Sequence, residues 1–68
     1  MNVIIDLHGV KHEHVESIIY SACIEHEAPF IVITGKSDTM KRLVASAVKS
    51  LGYTVRDAYD NPGRVVIE

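Results

Sequence analysis

The chain has little that would fasten a fold covalently or hold it in a bilayer. Cys23 is the only cysteine, so neither an intrachain disulfide nor a cysteine-based zinc site can form. No apolar run approaches the 20 or so residues that span a membrane, and no secretory leader is visible. A reducing cytoplasm is the expected compartment. Internal repeats and linkers are missing, and 68 residues leave room for a single domain, 1–68. A domain this small buries only about 60% of the surface its unfolded chain exposes, so its core must be compactly patterned. What the chain does have is 47% hydrophobic residues, ordinary for a globular protein and too many for a disordered one.

The formal net charge of −2 argues weakly against a nucleic-acid partner, but the charges are segregated. Residues 1–27 set Lys11 against Asp6, Glu13, Glu16, Glu25 and Glu27. Residues 28–56 carry Lys36, Lys41, Arg42, Lys49 and Arg56 against Asp38 alone. A basic middle third suggests a locally bound anion rather than a globally basic protein.

Hydrophobic spacing predicts six elements. Residues 2–8 read as a strand, with Val3, Ile5 and Leu7 on one face and Ile4, Asp6 and His8 on the other. From about Lys11 the spacing turns helical through Val15, Ile18, Ile19, Ala22, Cys23 and His26. Pro29 closes that helix. Phe30–Thr34, mostly β-branched, predicts a central strand paired on both sides. Ser37 or Asp38 is placed to cap a second helix whose stripe is Met40, Leu43, Val44, Ala47, Val48 and Leu51. Gly52 stands where a left-handed cap is wanted. Tyr53–Arg56 and Arg64–Glu68 predict a hairpin around the turn Asp60-Asn61-Pro62-Gly63. The expected fold is therefore α/β: a βαβαββ two-layer sandwich, with a mixed four-stranded sheet and two helices on one face.

The chemistry concentrates where strands end. Asp6 and His8 share a strand face about 7 Å apart, and Gly9 lets the chain turn. If the first two strands are parallel neighbours, the loops after Asp6 and after Thr34 meet at one sheet edge, where open α/β sheets bind ligands. The second loop opens a helix, whose free N–H groups favour an anion. Lys36, Lys41 and Arg42 add positive charge there. Gly35-Lys36-Ser37 has the ending of a P-loop, but that motif needs a glycine where Phe30 stands.

Asp6-Leu7-His8-Gly9 after one strand and Thr34-Gly35-Lys36 after the next resemble the paired motifs of the Smr (small MutS-related) domain family, as does the Pro-Gly hairpin before the final Val-Val-Ile strand. The resemblance spans nearly the whole chain. It implies a sandwich like the C-terminal domain of a bacterial translation initiation factor, binding of DNA or RNA, and endonucleolytic nicking. On it, Asp6 and His8 match the cleavage residues. Gly35 and Lys36 match the second motif, and Lys41 or Arg42 matches a basic position in the following helix. The chain departs from the pattern in having Ser37 for the second glycine, Ile5 before the aspartate and Lys11 at the first helix cap. The resulting expectation is an Smr-like endonuclease with Asp6 and His8 catalytic; the alternative is a non-catalytic module that binds nucleic acid or a partner protein. Gly9, Thr34, Gly35, Lys36, Ser37, Lys41, Arg42, Arg56 and Arg64 would form the nucleic-acid surface. A divalent metal ion is a candidate cofactor, and no membrane partner is expected.

Plainer readings stand beside this one. An imidazole, titrating near 6.5 in model peptides, suits proton transfer, yet His8 could simply anchor its loop. Asp6 could orient His8, bind a metal or accept backbone N–H bonds; orientation of His8 is the expected role. His12 and Glu16, at i and i+4, could share an ion, whereas Glu13 and His14 should point apart, and a solvated helix face is the simpler account. His26 should pack or meet helix-end carbonyls, and Cys23 reads as a small core residue. Arg56 and Arg64 should lie on neighbouring strands of the open sheet face, together with Ile4, Val32 and Val66. An apolar patch there would favour a homodimer or a partner protein.

Overall fold

The computed structural model describes residues 3–68. Strand β1 (Ile4–Asp6) leads into helix α1 (His12–Glu25), β2 (Phe30–Ile33) into α2 (Asp38–Lys49), and β3 (Val55–Ala58) with β4 (Asn61–Ile67) forms the closing hairpin. The strands lie in the order β1-β2-β4-β3. β1 runs parallel to β2, and β4 is antiparallel to both its neighbours. The expected βαβαββ two-layer sandwich is thus the observed one, and β2 is paired on both sides as its β-branched run predicts. Among the described residues no helix is long and apolar enough to cross a membrane.

Alternation along the strands decides which side is core. In β2, Phe30 and Val32 are buried while Ile31 and Ile33 are partly exposed. Register carries that division across the sheet: Phe30 pairs with Ile67 and Val32 with Val65, both buried, whereas Ile31 pairs with Val66 and Ile33 with Arg64. The buried side meets Leu7, the Val15–Ile19–Ala22 stripe of α1 and the Met40–Val44–Ala47–Val48 stripe of α2 in one apolar cluster. Val32 therefore belongs to the core, not to the open face. Ile31 and Ile33 take its place there, because inward Phe30 sets the phase of the strand.

Other boundaries also move. β1 is shorter than predicted: Val3 and Leu7 flank it, and the predicted start at Asn2 lies outside the described residues. β2 stops at Ile33, since the Thr34 N–H turns to the Gly63 carbonyl. The hairpin is displaced by about two residues. Its tip is Tyr59-Asp60, while Asn61-Pro62-Gly63 opens β4, and a register irregularity falls at Asp57/Ala58. Leu51 falls past the end of α2 and is 46% exposed. The chain reverses after it through Gly52 at φ +88°, with the Tyr53 N–H returning to the Val48 carbonyl at 3.0 Å.

α1 begins after Lys11, which makes no side-chain cap; α2 begins after Ser37, whose hydroxyl accepts the Met40 N–H. Most of α1's hold on the fold therefore comes from its buried stripe. Ile19 is fully buried and Ile24, five residues on, is 84% exposed. Ile19→Ala should destabilise the domain by about 2–5 kcal/mol, and Ile24→Ala by less than about 0.5 kcal/mol. Urea melts of the two variants against the parent check this; equal losses would mean α1 is rotated from the packing described.

Candidate nucleic-acid site

The parallel register pairs Asp6 with Ile33, so both strands end at the same level. The Leu7 N–H donates to the Ile33 carbonyl at 3.0 Å, extending that pairing into the first loop. The loop after β1 and the loop after β2 thus leave the same end of the sheet side by side. The start of β4 joins them. Thr34 and Gly35 both donate their N–H to the Gly63 carbonyl at 2.9 Å, and the Thr34 hydroxyl donates to the Gly35 carbonyl at 2.8 Å. Gly35 adopts φ +65°, and a Cβ added to Gly63 would stand 3.5 Å from the Gly35 Cα. A side chain at Gly35 would be strained by its left-handed backbone, and one at Gly63 would press on Asn61 Oδ1 at 3.2 Å while only touching the Gly35 loop.

At this rim the acid and the imidazole are related through the backbone. The His8 N–H donates to Asp6 Oδ1 at 2.8 Å, closing a local turn, and Gly9 follows at φ +76°. Asp6 thus fixes the turn that presents His8 and does not contact the ring, in contrast to the expected side-chain orientation. Both side chains are exposed. The Ser37 hydroxyl accepts the Met40 N–H as the cap of α2, and Thr34, 7% exposed, ties two loops together through its N–H and hydroxyl to the Gly63 carbonyl. Their hydroxyls serve the architecture, and Gly35, Lys36 and Ser37 are the exposed residues of that loop.

The cations divide into engaged and free. Lys41 Nζ lies 3.3 Å from Asp57 Oδ1 and donates to the Pro62 carbonyl at 2.6 Å, pinning α2 to the hairpin. Arg56 Nε donates to Glu68 Oε1 at 2.6 Å. Among the described residues, Lys36, Arg42 and Arg64 make no ion pair. Arg64 sits in the cross-sheet row Asp6–Ile33–Arg64, so it belongs to the rim. Arg42 and Arg56 instead border a cleft of about 380 Å³ between α2 and β3, floored by Ala45, Val55 and Val65. That cleft is on the far side of the sheet from β1, about 14 Å away at ordinary strand spacing. The structure therefore gathers Asp6, His8, Gly9, Gly35, Lys36 and Arg64 and leaves Arg42 and Arg56 apart.

Tyr59 escaped the sequence reading. It is fully exposed at the hairpin tip, and β4 begins beside Gly35, so the tip belongs to this same end of the sheet. Its signal was an aromatic residue next to a turn motif. Elsewhere, His14 Nε2 approaches Glu13 Oε1 at 3.6 Å, both well exposed, rather than pointing away from it. Among the described residues no group of three or more His, Cys, Asp or Glu is placed to hold a metal ion. The His26 backbone N–H meets the Ala22 carbonyl as the C-cap of α1. Burial pushes the Cys23 thiol up from its ordinary value, which keeps it protonated and poorly nucleophilic.

The turn geometry makes a checkable distinction. Asp6→Asn retains an oxygen to accept the His8 N–H and should leave stability within about 0.5 kcal/mol. Asp6→Ala removes the acceptor and should cost about 1 kcal/mol. Thermal unfolding of both variants decides it: an equal effect of the two would mean the carboxylate charge, not the turn hydrogen bond, is what the fold uses.

No family model, curated protein or solved structure matches the chain.

Proposed function

We propose that this domain binds the phosphodiester backbone of DNA or RNA at the β1–β2 rim and nicks it there, as an Smr-like endonuclease. The observation that carries the reading is the parallel register of β1 and β2. It brings the loop bearing Asp6 and His8 beside the loop bearing Gly35 and Lys36. An exposed imidazole, a turn that opens a helix and two unpaired cations then share one edge of the sheet. Positive ends of helices and free guanidinium groups both suit phosphate oxygens.

In this reading Lys36 and Arg64 hold the backbone and the turn after Gly35 receives one phosphate. His8 accepts the proton of the attacking oxygen as the new P–O bond forms and the bond to the leaving oxygen breaks. Asp6 acts through the backbone, holding the turn that presents the ring. Tyr59 supplies a flat face for an unpaired base, a contact worth about 1–3 kcal/mol per base in single-strand binders. That favours single-stranded or locally melted substrates. Asp38, acidic and in the first turn of α2, opposes the anion and limits how much the helix end contributes.

A second reading is supported by Ser37 and Asp6. Ser37 stands where the motif's second glycine is expected and is spent on the helix cap. The Asp6 carboxylate faces a backbone N–H rather than the imidazole. Both suit a module that binds a strand without cutting it.

The test is incubation of the purified protein with single-stranded and duplex DNA and RNA, with and without divalent metal, across a salt series. Cleavage by the parent and its loss in a folded His8→Ala variant are expected. Binding should weaken steeply with salt, and Tyr59→Ala should weaken single-strand binding about tenfold or more. Salt-sensitive binding without product selects the second reading. No binding at low salt overturns both.

A further inference from the structure

We infer that the open sheet face is a self-complementary surface for a second copy of this chain, a step beyond the nucleic-acid reading and independent of it. The face carries two cross-sheet rows. One is Ile4–Ile31–Val66, which Arg56, ion-paired to Glu68, continues onto β3; the other is Asp6–Ile33–Arg64. Ile4 is 48% exposed, and Ile31, Ile33 and Val66 are each partly exposed, so an apolar strip faces water with no helix over it. In the second row two opposite charges flank Ile33, two strand spacings apart, about 10 Å between Cα atoms. Neither forms an ion pair among the described residues. Within one chain the row holds them apart.

Laying two such faces together about a two-fold axis along β2 brings them together. That operation places each β1 over the other chain's β4. Ile4 then packs on the partner's Val66, Ile31 and Ile33 meet their own counterparts, and Asp6 faces the partner's Arg64 twice over. Apolar meets apolar in the first row, with Arg56 left at the edge beyond it, and charge meets opposite charge in the second, as an isologous interface requires. Aligned sheets pack face to face with a small twist between them, and this arrangement uses that geometry. The strip is short on a domain measuring 27 × 24 × 17 Å, so the dimer belongs to the weak, reversible class of small interfaces. It also takes up Asp6 and Arg64, so dimer and rim-bound strand exclude one another.

Sedimentation equilibrium over a wide concentration range, without nucleic acid, tests the inference. The parent should move from one chain mass toward two as concentration rises. Asp6→Arg and Arg64→Asp should each weaken association about tenfold or more, because each sets like charges face to face. The double exchange Asp6→Arg with Arg64→Asp should restore it. Ile4→Lys, at a position already half in water, keeps the test decisive if a charge variant fails to fold by circular dichroism; it should also leave a monomer. A parent that stays monomeric at about 1 mM overturns the inference, as does a dimer that tolerates both Ile4→Lys and the single reversals. So does a folded double exchange that stays monomeric. The absence of nucleic acid separates a failure here from a failure of the phosphodiester reading.

Discussion

Parallel pairing of Ile4–Asp6 with Ile31–Ile33 is the contact on which the rest of this domain depends. Parallel strands need a crossover, and a crossover in one sheet is right-handed almost without exception. The helix between them must therefore pack back over the sheet, and its Val15–Ile19–Ala22 stripe is what makes that favourable. The same pairing sends two loops out of one end of the sheet. Once they are neighbours, the second is locked by Thr34 and Gly35 donating to Gly63. The rim is thus a consequence of register, held by backbone hydrogen bonds rather than by the side chains that face solvent.

Side-chain charge is used for two separate purposes. Lys41 and Arg56 are bound to Asp57 and Glu68, at exposures where such pairs add little stability but do fix where the hairpin sits. Lys36 and Arg64 are left open at the rim. Asp6 takes both roles, since one oxygen holds the His8 turn while its charge stays in water. The open face therefore presents a small set of unpaired charges around an apolar strip. A polyanion would engage the cations; a second copy of the face would engage both signs.

Much of the architecture was legible because strand and helix periods are distinct in this chain. Val15, Ile19 and Ala22 declared one helix, and Met40, Val44, Ala47 and Val48 the other, while the β-branched run Phe30–Ile33 declared the central strand. The misplacements have one cause each. A continuous apolar run hides its own phase, so the sequence alone does not show that Val32 faces the core; the inward Phe30 sets that phase. The hairpin tip lies earlier than its turn motif because Asn61 pairs with Ala58 and the Gly63 carbonyl receives the Thr34 and Gly35 N–H groups, which takes Asn61–Gly63 into the strand. At the site, the spacing of Asp6, His8, Gly35 and Lys36 foretold a shared edge. Which basic residues would be consumed by ion pairs was not legible, since Asp57 and Glu68 approach Lys41 and Arg56 only after the hairpin closes. Tyr59 gave no periodic signal, being outside both layers.

The central claim is that a strand of nucleic acid engages the end of the sheet where β1 and β2 finish. Amide chemical shifts followed through a titration with a short single-stranded oligonucleotide at low salt test it most directly. The account predicts that the largest changes fall on His8, Gly9, Gly35, Lys36 and Arg64. Changes concentrated on the exposed side of α1, or on Thr54 and Glu68 at the opposite end of the sheet, would contradict it.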